Sequence, residues 1–203
     1  FSPIHDLELP EETDGLILPG GYPELYAEAL SENHSMRKQV RRACEGNMPV
    51  LAECGGFLYL QKNLTYEGKT FDMAGALDGE GFQTKSSVRF GYLDAAAEKP
   101  GLLGDAGVSI RGHEFHYFDC SNNGDGFTAK KPLSDRSYSC MIYTAHMAAG
   151  FPHFYYESNP EMLYSFLRAC ESYRAGRLAK KHLDSIAKPI DSLGLLEDMV
   201  VKL

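Results

Sequence analysis

The chain has 203 residues, 43% of them hydrophobic, enough for one domain with an ordinary core and at most an appendage. A net charge of −8 without a basic cluster argues against nucleic acid as a partner. Five cysteines without regular spacing read as reduced thiols, and there is neither a signal peptide nor an apolar run of membrane-spanning length, so a cytoplasmic protein with no membrane partner is expected.

Residues 1–13 hold two prolines and a run of acidic residues, and they read as a lead-in or linker. Because the first residue is Phe1 rather than Met, the sequence is expected to be a piece of a longer chain. Asp14 to Leu18 is a short apolar strand that runs straight into Pro19-Gly20-Gly21-Tyr22-Pro23-Glu24. Two glycines directly after a strand let backbone N–H groups approach a ligand, although a simple tight turn has the same spacing. No Gly-Lys-Ser/Thr follows here or elsewhere, so no nucleoside-triphosphate loop is visible.

Pro23 suits the first turn of a helix. A second helix is predicted from about Asn33 to Glu45, with Asn33 or Ser35 as its N-cap and Met36, Val40, Ala43 and Cys44 as its apolar stripe. Val50 to Ala52 then reads as a strand buried on both faces, and Phe57 to Leu60 as the start of a helix. Cys54 stands at the turn between them, with Ala52 and Gly56 two positions to either side. A sharp nucleophile-bearing turn needs small residues there. A helix N-terminus favours a thiolate, and the Gly55 N–H can face an oxyanion. The alternative is a buried core cysteine. Strand–helix–strand–helix with short links predicts a parallel sheet covered on both sides.

From Leu64 to Tyr117 glycine and aromatic residues rise and helical periodicity fades, which suggests an antiparallel extension of the sheet. Val88–Tyr92 and Val108–Arg111 are predicted strands. Arg111-Gly112-His113-Glu114-Phe115-His116-Tyr117 follows. His113 and His116, with Cys120, could be read as metal ligands. On a strand the two histidines point to opposite faces, however, so a polar strand lining a cleft is preferred and no metal is assigned. Residues 121–134 read as a surface loop, Tyr138 to Thr144 as a strand, and Ser158-Asn159-Pro160-Glu161 as a helix start with Ser158 at the N-cap. His153 falls at the sheet rim where ligands bind in open α/β folds, and is the base candidate for Cys54; His146 competes with it. Arg174, just ahead of residues 176–203, and Arg177, Lys180, Lys181 and His182 within them read as a solvated basic helix face. The stretch from Lys188 to Glu197 looks like the start of something new.

In this order, Gly20-Gly21-Tyr22-Pro23-Glu24, Glu53-Cys54-Gly55-Gly56-Phe57-Leu58-Tyr59-Leu60, Gly91-Tyr92, Gly112-His113-Glu114-Phe115-His116-Tyr117 and His153 ahead of Ser158-Asn159-Pro160 resemble the glutamine amidotransferase domain of cobyrinic acid a,c-diamide synthases. The resemblance covers about residues 1–173. It implies an α/β fold: a three-layer, flavodoxin-like, mostly parallel sheet with an antiparallel extension. Residues 14–175 would be the amidotransferase domain and 1–13 the linker from an absent ATP-dependent synthetase domain. Residues 176–203 would be a linker and the opening of a following domain, similar to nicotinate-nucleotide–dimethylbenzimidazole phosphoribosyltransferase.

The resemblance implies that Cys54 attacks the glutamine amide, that Gly20, Gly21 and Gly55 shape the oxyanion and substrate site, and that His153 moves the proton. Glu53, His113, Glu114 and His116 are expected to line the cleft. This domain would need no cofactor. Mg-ATP and the corrinoid would bind the synthetase domain, which would receive the ammonia, and a homodimer stays open. Related amidotransferases carry a His-x-Glu pair, whereas Tyr155 stands two residues after His153, so a Cys–His dyad is implied. Glu114 and Glu157 are the candidates for an orienting acid. A peptidase or γ-glutamyl hydrolase, or a non-catalytic docking domain, are the competing readings.

Overall fold

The computed structural model describes residues 1–191, with side chains to Ser185. Its elements follow one another as β1 (Leu16–Leu18), a 3₁₀ turn (Pro23–Tyr26), α1 (Ala27–Glu32), α2 (His34–Glu45), β2 (Val50–Glu53), α3 (Gly55–Leu60), β3 (Asn63–Tyr66) and β4 (Lys69–Asp72). Then come β5 (Glu80–Gln83), β6 (Arg89–Ala97), β7 (Ser109–His116), β8 (Phe118–Cys120), β9 (Phe127–Lys130), β10 (Ser137–Cys140) and β11 (Ile142–Tyr143). The last elements are β12 (Met147–Gly150), β13 (His153–Phe154), a 3₁₀ turn (Tyr156–Ser158) and α4 (Pro160–Asp191).

The nucleus is a sheet in the order β1-β2-β12-β11, parallel across its first three strands and antiparallel at β11. Side chains alternate along β2, so Val50 and Ala52 face one layer and Leu51 the other. The first layer holds Leu16, Leu18, Met36, Val40 and Phe57; the second holds Ala95, Phe127, Phe154, Met162 and Phe166 around Leu51 and Ala148. That is why β2 reads as an unbroken apolar run. α2 starts where predicted: the Asn33 side chain accepts a hydrogen bond from Met36 N–H at 3.2 Å. Met36, Val40 and Ala43 are buried.

Residues beyond α3 do more than extend the nucleus. They build two further sheets, β4-β3-β5-β8 and the antiparallel β10-β9-β6-β7-β13. Residues 121–134, expected as a loop, contain β9, which pairs with both β6 and β10. The strand expected over Tyr138–Thr144 is divided at Met141, whose φ of +68° turns the chain out of one sheet and into another. Isolated polar and Gly-rich segments conceal such pairings, because their partners lie far away in sequence.

Ser158 is not the N-cap of α4. Its hydroxyl accepts from Arg111 N–H (3.0 Å) and donates to the Tyr155 carbonyl (2.7 Å), tying the chain ahead of the helix to β7. Asn159 directly precedes α4, and its carbonyl accepts from Met162 N–H. α4 passes unbroken through Gly176; Arg174 and Arg177 pair with Asp14 at 3.8 and 2.9 Å, and every side chain from Leu178 to Ser185 is exposed. Of the tail expected to open a following domain, residues 192–203 lie outside the described residues. At the other end, residues 1–6 are docked: the Asn33 side-chain amide donates to the Pro3 and Asp6 carbonyls at 3.0 and 2.8 Å, and Ile4 packs on the core.

Candidate active site

The carboxyl ends of β1, β2 and β12 form one rim, which is where open α/β sheets place their ligands. β1 delivers the Pro19–Tyr22 turn, β2 delivers Glu53 and Cys54, and the chain leaving β12 delivers His153 within four residues. Cys54 has φ +47° and ψ −105°, a strained conformation for a residue with a side chain. It is held from both sides: its N–H donates to the Gly150 carbonyl (2.8 Å) and its carbonyl accepts from Leu58 N–H (3.0 Å). This is the backbone geometry of a nucleophile elbow. Gly56 permits it, since a Cβ there would lie 2.0 Å from the Leu18 carbonyl oxygen.

The glycine turn after β1 packs directly against the elbow. A Cβ on Gly55 would fall 2.7 and 2.8 Å from the Gly21 oxygen and nitrogen, and one on Gly20 would fall 2.3 Å from His153 Cε1. Gly55 also opens α3, whose first N–H groups have no partner within the helix. The three glycines therefore make a floor of main chain beneath the imidazole. A largely apolar cavity of about 320 Å³ shares Gly21 and Gly55 with the site and is lined further by Ile17, Tyr22, Tyr26 and Tyr59.

His153 is pushed up to about 10, first by hydrogen bonding with the Cys54 sulfur, then by Glu53, against an opposing effect of burial. Its Nδ1 lies 3.6 Å from Glu53 Oε2. Glu53 is itself fixed through Oε1, which accepts from Tyr156 OH (2.9 Å) and Phe154 N–H (3.3 Å). The carboxylate beside His153 is thus Glu53, and neither of the two acids expected for that place. Glu157 sits in the exposed 3₁₀ turn. Glu114 is buried on the inner face of β7, where it accepts a hydrogen bond from Tyr138 OH.

Strand parity decides the rest of the histidine segment. His113 points outward and its ring stacks on His153, with centroids 5.0 Å apart and planes at 15°. It also faces His153 in the β7–β13 register. Glu114 and His116, expected in the cleft, instead point inward. His116 Nδ1–H donates to the Phe118 carbonyl at 2.6 Å, its ring stacks on Phe151 at 4.1 Å, and its Nε2 lies 3.8 Å from Glu114 Oε1. Both side chains are buried beneath the sheet. His146 precedes β12 and its carbonyl accepts from Val50 N–H, so it lies at the opposite end of the strands from Cys54. Among the described residues no three His, Cys, Asp or Glu side chains gather as a metal site, and no helix is long and apolar enough to cross a membrane. Glu53 was expected in the cleft, but its pairing with His153 and the part of Tyr156 in holding it were missed by sequence reasoning; the only local signal was an acid directly before the elbow cysteine.

A parallel α/β nucleus with a glycine turn and a cysteine elbow at one rim is the architecture of class I glutamine amidotransferases. The same fold occurs in a chain of the PurLQS structure from Thermotoga maritima, with a TM-score of 0.55 and 17% identity over 81% of this chain and 82% of that one. The chain belongs to the CobB/CobQ-like glutamine amidotransferase domain family, whose model matches residues 1–158. Similar curated proteins are the cobyrinate a,c-diamide synthases of Picrophilus torridus (37% identity, 84% of this chain, 37% of the relative) and Caldanaerobacter subterraneus subsp. tengcongensis (38%, 85% and 39%). The Salmonella typhimurium enzyme of the same name is 37% identical over 83% of this chain and 38% of its own length. The chain thus spans less than two fifths of the relatives it matches.

Proposed function

We propose that this domain is the glutaminase of a cobyrinate a,c-diamide synthase and acts in the cytoplasm. The observation that carries the reading is the convergence of Cys54, His153 and Glu53 at one sheet rim, above a floor of glycine main chain.

The side-chain amide of glutamine sits with its carbonyl carbon against the Cys54 sulfur. His153, hydrogen-bonded to the sulfur, takes the proton of Cys54 and so generates the attacking thiolate. The thiolate adds to the carbonyl carbon, and the oxygen takes up negative charge. Backbone N–H groups of Gly21 and Gly55 receive that oxyanion; such donors act without reorganising as charge develops. His153 gives its proton to the departing nitrogen, the C–N bond breaks, and ammonia leaves a thioester. Neutral His153 then takes a proton from water as it attacks the thioester, and glutamate and the thiolate–imidazolium pair are restored. Glu53 fixes the ring orientation and favours its charged form throughout, a role a carboxylate plays for a catalytic histidine in other folds. Glu53 is a positioning residue; Tyr156 and the Phe154 N–H hold it in place.

In this reading the ammonia passes to corrin carboxylates activated with Mg-ATP on a synthetase portion, and the isolated domain hydrolyses glutamine slowly. Release of glutamate and ammonia from glutamine, abolished in Cys54→Ala, tests the reading. Cleavage of peptides or poly-γ-glutamate with no glutamine turnover would overturn it.

A further inference from the structure

The face of the antiparallel sheet that carries His153 also carries a group of exposed rings that the chemistry above does not use. Alternation along β6 and β7 turns Phe90, Tyr92, His113 and Phe115 outward, followed by Tyr117. Across the strands Tyr92 pairs with His113 and His113 with His153, while Phe90 pairs with Phe115 in the adjoining row. Phe90, Tyr92, Phe115 and Tyr117 are 69%, 78%, 52% and 50% exposed. Farther along, the same face turns polar, with Asp94 opposite both Arg111 and Lys130. The aromatic residues are therefore confined to the end that adjoins the catalytic imidazole.

We propose that this aromatic platform seats the synthetase portion of the protein, the part of the curated relatives that lies outside the matched stretch. The proposal rests on the glutaminase reading and deepens it. Contiguous exposed aromatic side chains are what the buried centre of an interface is made from, and a monomer seldom leaves them in water. The relatives carry more than half of their length beyond what this chain covers, so the occupant is large enough to cover the face. A domain seated there closes the rim at His153, where ammonia would be released, and keeps bulk water away from it.

Two other occupants fit less well. The rings meet edge to face, Phe90 to Phe115 at 78° and Phe115 to Tyr117 at 75°, which makes a corrugated surface instead of a plane for a flat macrocycle. A second copy of the chain would bring together two bodies each of charge −8.

Hydroxyl-radical footprinting reads the burial of these rings directly. It is run on the 203-residue chain and on the Picrophilus torridus synthase with this chain in place of its own matched stretch. The four aromatic residues should be oxidised at least about five-fold more slowly in the hybrid, with Leu133 and Tyr164 unchanged as exposed controls. Equal rates in the two proteins overturn the proposal. So does protection in the isolated chain that grows with concentration alongside a dimer mass, which assigns the face to a second copy. Protection of the hybrid only after cobyrinic acid is added assigns it to the macrocycle and overturns it too. Should the hybrid not fold, the intact Picrophilus enzyme is footprinted at the aligned positions, where oxidation rates typical of exposed rings have the same consequence. In the hybrid, Phe90→Asp with Tyr117→Asp should lower glutamine-driven amide formation about ten-fold or more while ammonium-driven formation is unchanged. Absence of glutamine hydrolysis in both proteins would defeat the glutaminase reading alone, since the footprint is read without turnover.

Discussion

Glu53 and His153, one hundred residues apart in the chain, meet with Oε2 3.6 Å from Nδ1, and Glu53 is the direct neighbour of the elbow cysteine. One strand end therefore supplies both the sulfur and the carboxylate that lie against the imidazole. Glu53→Gln keeps the shape and removes the charge. It should lower kcat for glutamine hydrolysis about a hundredfold with little change in KM, and Glu53→Asp should recover part of the loss. Steady-state kinetics on the three proteins decide it; a KM effect alone would mean that Glu53 binds substrate.

The pH dependence follows from the direction of the His153 shift. His153 is raised from the usual imidazole range to about 10, so its proton is lost only as pH passes that value. Hydrolysis should hold through pH 8–9 and fall above, and Glu53→Gln should bring the fall to lower pH because a negative neighbour is gone. The same linkage acts on stability. A group with a raised folded value contributes fully below its unfolded value, near 6.5, and loses that contribution as pH rises to about 10. Thermal melts of the wild-type chain should therefore converge on those of His153→Gln across that window.

Cys54 should be the one cysteine that a glutamine-like alkylator reaches. Burial pushes the thiols of Cys44 and Cys140 up to about 12 and raises those of Cys120 and Cys170 as well. Diazo-oxo-norleucine should label the chain once, at Cys54, as mapped by peptide mass spectrometry, and Cys54→Ala should stay unlabelled. Labelling spread over several cysteines would speak against a site built around Cys54.

Gly20→Ala places a methyl group 2.3 Å from His153 Cε1, so the ring must move. Activity should drop about a hundredfold or more, because displacement of a reacting group by an ångström is that damaging. The melting temperature should fall modestly at neutral pH, as the half-buried ring swings outward and gives up its contacts with Cys54 and Glu53, and this difference should fade as pH rises to about 10.

Leu51 stands between the parallel sheet and the antiparallel layer, 3% exposed, with Phe127, Phe154 and Phe166 in the same cluster. Leu51→Ala should destabilise the fold by about 2–5 kcal/mol, measured by urea unfolding, and Val50→Ala should have a similar effect on the helical side.

The parallel nucleus was readable because its signals are local. Asn33 capped α2 as expected, the run Val50–Ala52 became β2, and small residues at Ala52 and Gly56 marked the elbow. The antiparallel sheets were not, since β9 is recognisable as a strand only once β6 and β10 are beside it. Met141 carries a positive φ without being glycine, so nothing in its identity announced the break between β10 and β11. In the histidine segment, alternation was enough to separate His113 from His116, yet which face was the wet one depended on β13 arriving at β7. Glu53 was recognised as near the cleft, but its partnership with His153 comes from the tertiary course of the chain after β12 and has no spacing signature.

The contact of Gly55 with Gly21 has a consequence for how such a domain can diversify. Because a Cβ on Gly55 would run into the Gly21 main chain, Gly55 cannot accept a bulkier residue unless the glycine turn and the start of α3 separate, whereas Gly21 has open space around it. The base of the pocket is thereby insulated from mutation at Gly55, and any change in what the site accepts is left to the side chains around it.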